Sequence, residues 1–140
     1  MTSQERAFRE FADFAAKLKG DEKSEAQTFL FHLLAAFGHD PNTLPEGSTF
    51  EYRVRFPGPP LSSDGRGARS EVAKGESRTK FADFVWPGRC LIEMKSRGVK
   101  LSKHYQQTFD YWLNLVPHRP PYVALCNFDE FWIYDFNTQL

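Results

Sequence analysis

The sequence predicts an α/β domain, a mixed β-sheet flanked by helices. Two observations carry this. Three segments place apolar residues at the 3–4 spacing of a helix buried on one side, and five shorter segments alternate or run apolar as strands do. Their order, α-α-β-β-β-α-β-β, sets a helix between the third and fourth strands, and such interleaving layers helices on a sheet. A length of 140 residues fits one domain with one good core.

The first helix spans residues 3–19, with Phe8, Phe11, Ala12, Ala15 and Leu18 as its apolar stripe and Gly20 as its stop. Asp21-Glu22-Lys23 reads as a polar joint. Ser24 is placed to cap a second helix, 24–37, with Gln27 as its return partner. Ala26, Phe29, Leu30, Leu33, Leu34 and Phe37 hold helical spacing there, and Gly38 ends it. Residues 49–56 alternate as a strand, with Phe50, Tyr52, Val54 and Phe56 on one side and Glu51, Arg53 and Arg55 on the other. Periodicity is lost over 57–79, which holds three prolines and four glycines and reads as a long variable loop.

Residues 80–95 predict a hairpin, Lys80–Trp86 and Arg89–Lys95, turning at Pro87-Gly88. Ser96-Arg97-Gly98 breaks the pattern. The third helix covers 101–115, with Leu101, Tyr105, Phe109, Trp112 and Leu115 facing the core, and prolines at 117, 120 and 121 close it. Strands at 122–126 and 131–136, joined by the turn Asn127-Phe128-Asp129-Glu130, complete the chain.

Hydrophobic residues make up 41 % and aromatics 16 %, which disfavours disorder. No apolar run has the length of a membrane span, and the charged N-terminus lacks a signal-peptide core, so a cytoplasmic protein without membrane contact is expected. Cys90 and Cys126 sit in apolar runs and read as buried free thiols.

The chemistry gathers in the predicted hairpin. Asp83 lies in its first strand and Glu93-Met94-Lys95 in its second. A period of two puts Glu93 and Lys95 on one face, and the tight turn brings Asp83 beside them. Two carboxylates there form a hard-oxygen site suited to Mg²⁺, which retains waters for substrate or nucleophile. A neighbouring lysine can orient an attacking water and offset phosphate charge, so the set suits metal-assisted phosphodiester hydrolysis. The bare pattern fits a cross-strand salt-bridge cluster equally well. It also recurs at Asp13 and Asp21-Glu22-Lys23, where no hairpin would converge it.

Asp83 and Glu93-Met94-Lys95 resemble the PD-(D/E)xK nuclease signature, with Ala82 in place of its proline. The segments EAQTFL, EYRV, ADFVWPGRCLIEMKSRG, YQQTFDYWLNLVP and LCNFDEFWIYDFNTQL resemble the N-terminal nuclease domain of MmeI-type restriction enzymes. Those are single chains that join an endonuclease, a helical spacer, an adenine methyltransferase and a target-recognition region. The resemblance spans the chain except 57–79. It implies a restriction-endonuclease-like fold and a Mg²⁺-dependent endonuclease acting on double-stranded DNA, with Asp83 and Glu93 as metal ligands and Lys95 as catalytic lysine. The chain would then be part of, or a fragment or subunit related to, a restriction enzyme with adenine methyltransferase activity. Neither a glycine-rich S-adenosylmethionine loop nor an Asn-Pro-Pro-Tyr-type motif is present, so S-adenosylmethionine belongs to the longer members, and a methyltransferase or target-recognition polypeptide is the implied partner.

The resemblance extends to supporting residues. Glu25 matches a helix-borne acid of the superfamily that binds metal through water or orients the lysine; it reads equally as a solvated first-turn glutamate. Gln107 and Tyr111 fit a Gln-x-x-x-Tyr pattern and share a helix face, though a surface amide and a packed tyrosine would look the same. Ser96, Arg97, Lys100 and Lys103 follow the second strand of the hairpin and are candidates for phosphate contact. His104 reads as a surface or packing residue. A non-catalytic module that binds DNA or a methyltransferase is the competing expectation, disfavoured by the intact Asp, Glu and Lys.

The net charge of zero conceals an uneven distribution. Residues 1–52 carry five basic and nine acidic groups, residues 53–105 twelve basic and five acidic, and residues 106–140 one basic and four acidic. The basic excess falls around the candidate site, a suitable setting for a phosphate backbone.

Overall fold

A computed structural model describes residues 2–40, 42–56, 79–115 and 119–139. Two helices come first, α1 (Ser3–Lys17) and α2 (Glu22–Ala36). Strands β1 (Thr49–Arg55), β2 (Thr79–Trp86) and β3 (Cys90–Met94) follow. A 3-10 turn (Leu101–His104) leads into α3 (Tyr105–Leu113), and β4 (Tyr122–Cys126), β5 (Phe131–Tyr134) and a final 3-10 turn (Phe136–Gln139) end the described chain. The variable loop expected at 57–79 lies outside the described residues except for Thr79, which opens β2.

The five strands form one mixed sheet in the order β1-β2-β3-β4-β5. β2 pairs antiparallel with both β1 and β3, β3 runs parallel to β4, and β5 returns antiparallel to β4. The parallel pair needs a crossover, and α3 supplies it. Apolar side chains fill both sheet faces. Phe84, Ile92, Met94 and Cys126 pack with Phe29, Leu30 and Leu34 of α2 on one face. Val54, Ala82, Val85, Leu91 and Val123 pack with Tyr111 and Trp112 of α3 on the other. No helix among the described residues is long and apolar enough to cross a membrane.

Local chemistry explains where these elements start and stop. Thr2 caps α1 through a hydrogen bond from the Glu5 N–H. Asp21, rather than Ser24, caps α2: its carboxylate accepts from the Lys23 N–H, and the Ser24 hydroxyl donates to it. An ionised Asp satisfies an orphan N–H and suits the helix dipole, so the helix begins earlier than the serine would have set it. The expected third helix divides into the 3-10 turn and α3, and the last strand stops at Tyr134, with Phe136 buried in the 3-10 turn that follows. At the tip of the hairpin the Arg89 N–H donates to the Trp86 carbonyl at 2.9 Å. Gly88 there has φ 80°, the left-handed conformation that a Pro-Gly turn demands of its third residue. Both cysteines are free; Cys126 is buried, and Cys90 is only half-buried, on the strand edge beside the turn.

Candidate active site

The site arises where the β2–β3 ladder stops. Backbone pairing runs Trp86↔Cys90, Val85↔Leu91 and Phe84↔Ile92. At the next rung, 83 opposite 93, side chains replace the carbonyls. The Asp83 N–H donates to Glu93 Oε1 at 3.0 Å, and the Met94 N–H donates to Asp83 Oδ2 at 2.6 Å.

The same position is irregular on its other side. β1–β2 pairing passes from Phe50↔Phe84 to Tyr52↔Ala82, and Glu51 between them has φ 51°. Ala82 and Val85 both join the α3-side core while Phe84 faces α2, so the strict alternation of β2 slips at Asp83. That slip frees the Asp83 carboxyl from the pleat. It borders a cleft of about 320 Å³ lined by Glu22, Lys23, Ala26, Gln27, Leu30 and Glu51.

β3 keeps its alternation. Leu91 faces α3 while Ile92 and Met94 face α2, which directs Glu93 and Lys95 toward α3. Glu93 is 5 % exposed, the one buried carboxylate among the described residues. The Lys95 side chain is 12 % exposed; its Nζ lies 3.8 Å from Glu93 Oε2 and donates to Gln107 Oε1 at 2.9 Å. Tyr111, one turn along α3, is buried in the α3-side core and packs on Phe56.

Burial and like charge dominate the electrostatics. Burial, then the neighbouring Asp83, pushes the Glu93 carboxyl up to about 8. Burial also raises Asp83, against the Met94 N–H, and Glu22 adds repulsion. The Tyr111 hydroxyl is pushed up to about 12 by burial and by both carboxylates. His104 is lowered, first by burial and then by the Lys95 ammonium.

This donor set fits a divalent cation that retains water. Asp83 Oδ2 and Glu93 Oε1 are each held by a main-chain N–H, which fixes both carboxyl groups and leaves each a second oxygen. Two apposed carboxylates that resist joint ionisation are stabilised by a dication between them. Among the described residues no group of three or more His, Cys, Asp or Glu is arranged to hold a metal ion. The pair could offer two carboxylate oxygens to a hard cation such as Mg²⁺, which would complete its shell with water.

The other expected residues separate into two groups. Lys100 and Lys103 are exposed on the segment between β3 and α3. Glu25 is not brought to the cluster: its carboxylate accepts the main-chain N–H groups of Lys19, Gly20 and Asp21 at 3.0, 2.8 and 2.9 Å, so it caps the α1–α2 joint. These bonds lower its pKa.

Ser96 and Arg97 are likewise engaged within the fold. Ser96 Oγ accepts the Glu22 N–H at 3.2 Å and so ties the first turn of α2 to the end of β3. The Arg97 guanidinium donates to the Ala15 and Leu18 carbonyls that end α1 and to both Asp129 carboxylate oxygens, and it lies over the Phe128 ring. The Arg97 Cβ crowds Gly20, where an added Cβ would clash with it and where φ is 87°. Only glycine meets both demands there.

Sequence reasoning missed Glu22, which lines the cleft beside Asp83. Reading Asp21 as the N-cap would have placed Glu22 in the first helical turn beside the hairpin.

No curated protein and no solved structure matches the chain. The family model of the MmeI N-terminal domain matches residues 4–140, a span that takes in both helices of the α1–α2 joint, the broken rung and α3. The chain belongs to the MmeI N-terminal domain family.

Proposed function

We propose that this chain is a Mg²⁺-dependent DNA endonuclease domain of the PD-(D/E)xK type, acting within a restriction-modification system. The observation that carries the reading is the rung at 83 and 93, where two carboxyl groups replace backbone pairing beside a lysine that is largely buried. A hairpin gains no stability from burying two carboxyls at one rung, since both resist ionisation. Such a cluster of perturbed groups marks a functional site.

In this reading Asp83 and Glu93 hold the cation. Mg²⁺, when bound, polarises the phosphoryl oxygen and acidifies a water. The chain's own residues do the rest. Lys95, steered by Gln107 and Glu93, presents its ammonium to the water and to phosphate charge. Tyr111 walls the α3 side and excludes solvent. Lys100 and Lys103 meet the DNA backbone. Site choice falls to a methyltransferase or target-recognition polypeptide, and S-adenosylmethionine chemistry to that partner as well.

Calorimetry with Mn²⁺ separates this reading from an inert DNA- or methyltransferase-binding module. The endonuclease reading expects saturable binding that disappears in Asp83→Asn. A titration without heat, or the same heat in Asp83→Asn, overturns it.

A further inference from the structure

We propose that Arg53 and Arg55 of β1, with Phe81 of β2 as the platform for Arg53, form a DNA-backbone contact that continues the Asp83 cleft along the sheet. The inference rests on the endonuclease reading for its occupant, a double-stranded DNA. It deepens that reading by giving the duplex a second set of contacts, across the site from Lys100 and Lys103.

Register places the three side chains. Val54 and Ala82 are buried in the core on the α3 side of the sheet. Successive side chains of a strand alternate, so their neighbours Arg53, Arg55 and Phe81 point to the other side. Arg53 pairs with Phe81 across the ladder, and its guanidinium lies 6.0 Å from the ring centroid. This is the side on which Asp83 and Glu51 border the cleft with α2. Phe81 stands two residues from Asp83 on β2, and Arg55 pairs with Thr79, four residues from it. At the rise of a strand these steps are about 7 and 13 Å. That is the reach of a few nucleotides, since the charges of one DNA strand follow at about 3.4 Å along the axis.

Topology sets the arginines and the lysines on opposite sides of the acids. β1 and β3 end, and β2 begins, at the same end of the sheet. The segment that carries Lys100 and Lys103 follows β3 there. The Asn127 side-chain amide, just past β4, donates to the Val99 carbonyl at 2.9 Å and holds that segment beside the end of β4. In sheet order the groups are then Arg53 and Arg55 on β1, Asp83 on β2, Glu93 on β3, and the two lysines by β4. Cations flank the carboxyl pair on both sides, the charge pattern that suits a polyanion crossing this end of the sheet.

The arginines are equipped for phosphate. Both are exposed, and β1 is the edge of the sheet. Among the described residues ion pairs engage Lys95 and Arg97 but neither Arg53 nor Arg55. A guanidinium forks onto phosphate oxygens. Phe81 is 52 % exposed, and its ring face holds the Arg53 guanidinium before DNA arrives. Charge on an edge strand also wards off pairing with another chain. That purpose calls for neither an exposed ring nor the side of the sheet that carries Asp83.

The test is fluorescence anisotropy with a labelled DNA duplex across salt concentrations, without divalent cations, so that binding is read apart from cleavage. In the double variant Arg53→Gln, Arg55→Gln the slope of log affinity against log salt should fall by about 1.8, or 0.9 for each phosphate no longer neutralised. The double variant Arg53→Lys, Arg55→Lys should keep the slope. Phe81→Leu should keep the slope and bind more weakly. Removing two exposed arginines of α1, Arg6→Gln with Arg9→Gln, should change neither. Urea midpoints check that all variants are folded. A wild-type slope in the β1 glutamine pair overturns the proposal, and so does an equal fall in the α1 pair, which would make the effect one of total charge. Wild-type affinity in Phe81→Leu overturns the role given to the ring. If the binding results are as expected but no form cleaves DNA with Mg²⁺, the endonuclease reading falls and the DNA contact stands.

Discussion

The Asp83 main-chain N–H donates to Glu93 Oε1 at 3.0 Å, in the place where an antiparallel rung would offer a carbonyl. The Asp83 carboxylate in turn takes the Met94 N–H. Each acid is fixed by the other's strand, and Asp83 borders the cleft beside α2. The arrangement ties the electrostatics of the site to the stability of the hairpin.

That link has a pH signature. The native protein holds the Glu93 proton up to about 8, whereas an unfolded glutamate releases it near 4.5. Between these values the native state binds more protons than the unfolded state, so raising the pH favours unfolding. The stabilising contribution is complete below about 4.5 and lost as pH rises through about 8. In protein stripped of divalent cations, urea midpoints should decline across this window. Glu93→Gln should flatten the decline, and saturating Mg²⁺ should flatten it too by compensating the ionised pair. A pH-independent midpoint in stripped wild-type protein would count against the buried-acid account.

Arg97 is held within the fold. Its guanidinium closes the α1 C-terminus and reaches Asp129 in the β4–β5 turn. Arg97→Ala should lower stability by about 2–4 kcal/mol, the scale of losing a few charge-assisted hydrogen bonds. Arg97→Lys should rescue little, since an ammonium cannot fork to several carbonyls. Urea unfolding measures both. Unchanged stability with weakened DNA binding would return Arg97 to the phosphate-binding residues.

Glu25 should behave as a cap. Glu25→Ala should lower thermal stability while leaving cleavage by folded protein unchanged. The loss should shrink as pH falls and the depressed carboxyl of the wild type protonates. A collapse of cleavage at unchanged stability would place Glu25 in the chemistry.

Lys100 and Lys103 should account for salt-dependent DNA binding. Each alanine substitution should weaken binding uniformly across sequences and reduce the slope of log affinity against log salt by about 0.9 for each phosphate that is no longer neutralised. A fluorescence-anisotropy titration across salt concentrations checks this. An unaltered slope in the double variant would place the DNA on another surface.

Most of the scaffold was legible in local pattern. Pro87-Gly88 marked the hairpin turn, and Tyr122–Cys126 read as a buried strand because both its faces are covered. The proximity of Asp83, Glu93 and Lys95 followed from strand period and turn length. The slip of β2 at Asp83 was not legible, since it depends on a side chain capturing the Met94 N–H across the sheet. The bonds of Arg97 to the Ala15 and Leu18 carbonyls were not legible, because a cation beside a candidate site reads alike whether it meets phosphate or helix carbonyls. Glu25 left two readings open for the same reason, since a first-turn acid serves the backbone or a metal with identical spacing.

The most direct test is cleavage of supercoiled plasmid by the purified protein with excess Mg²⁺, compared among wild type, Lys95→Ala and Asp83→Ala. The account predicts Mg²⁺-dependent nicking and linearisation by the wild type, lost in both variants although circular dichroism shows them folded. Cutting that persists undiminished in both variants, or a wild type inert toward DNA at saturating protein and Mg²⁺, would contradict it.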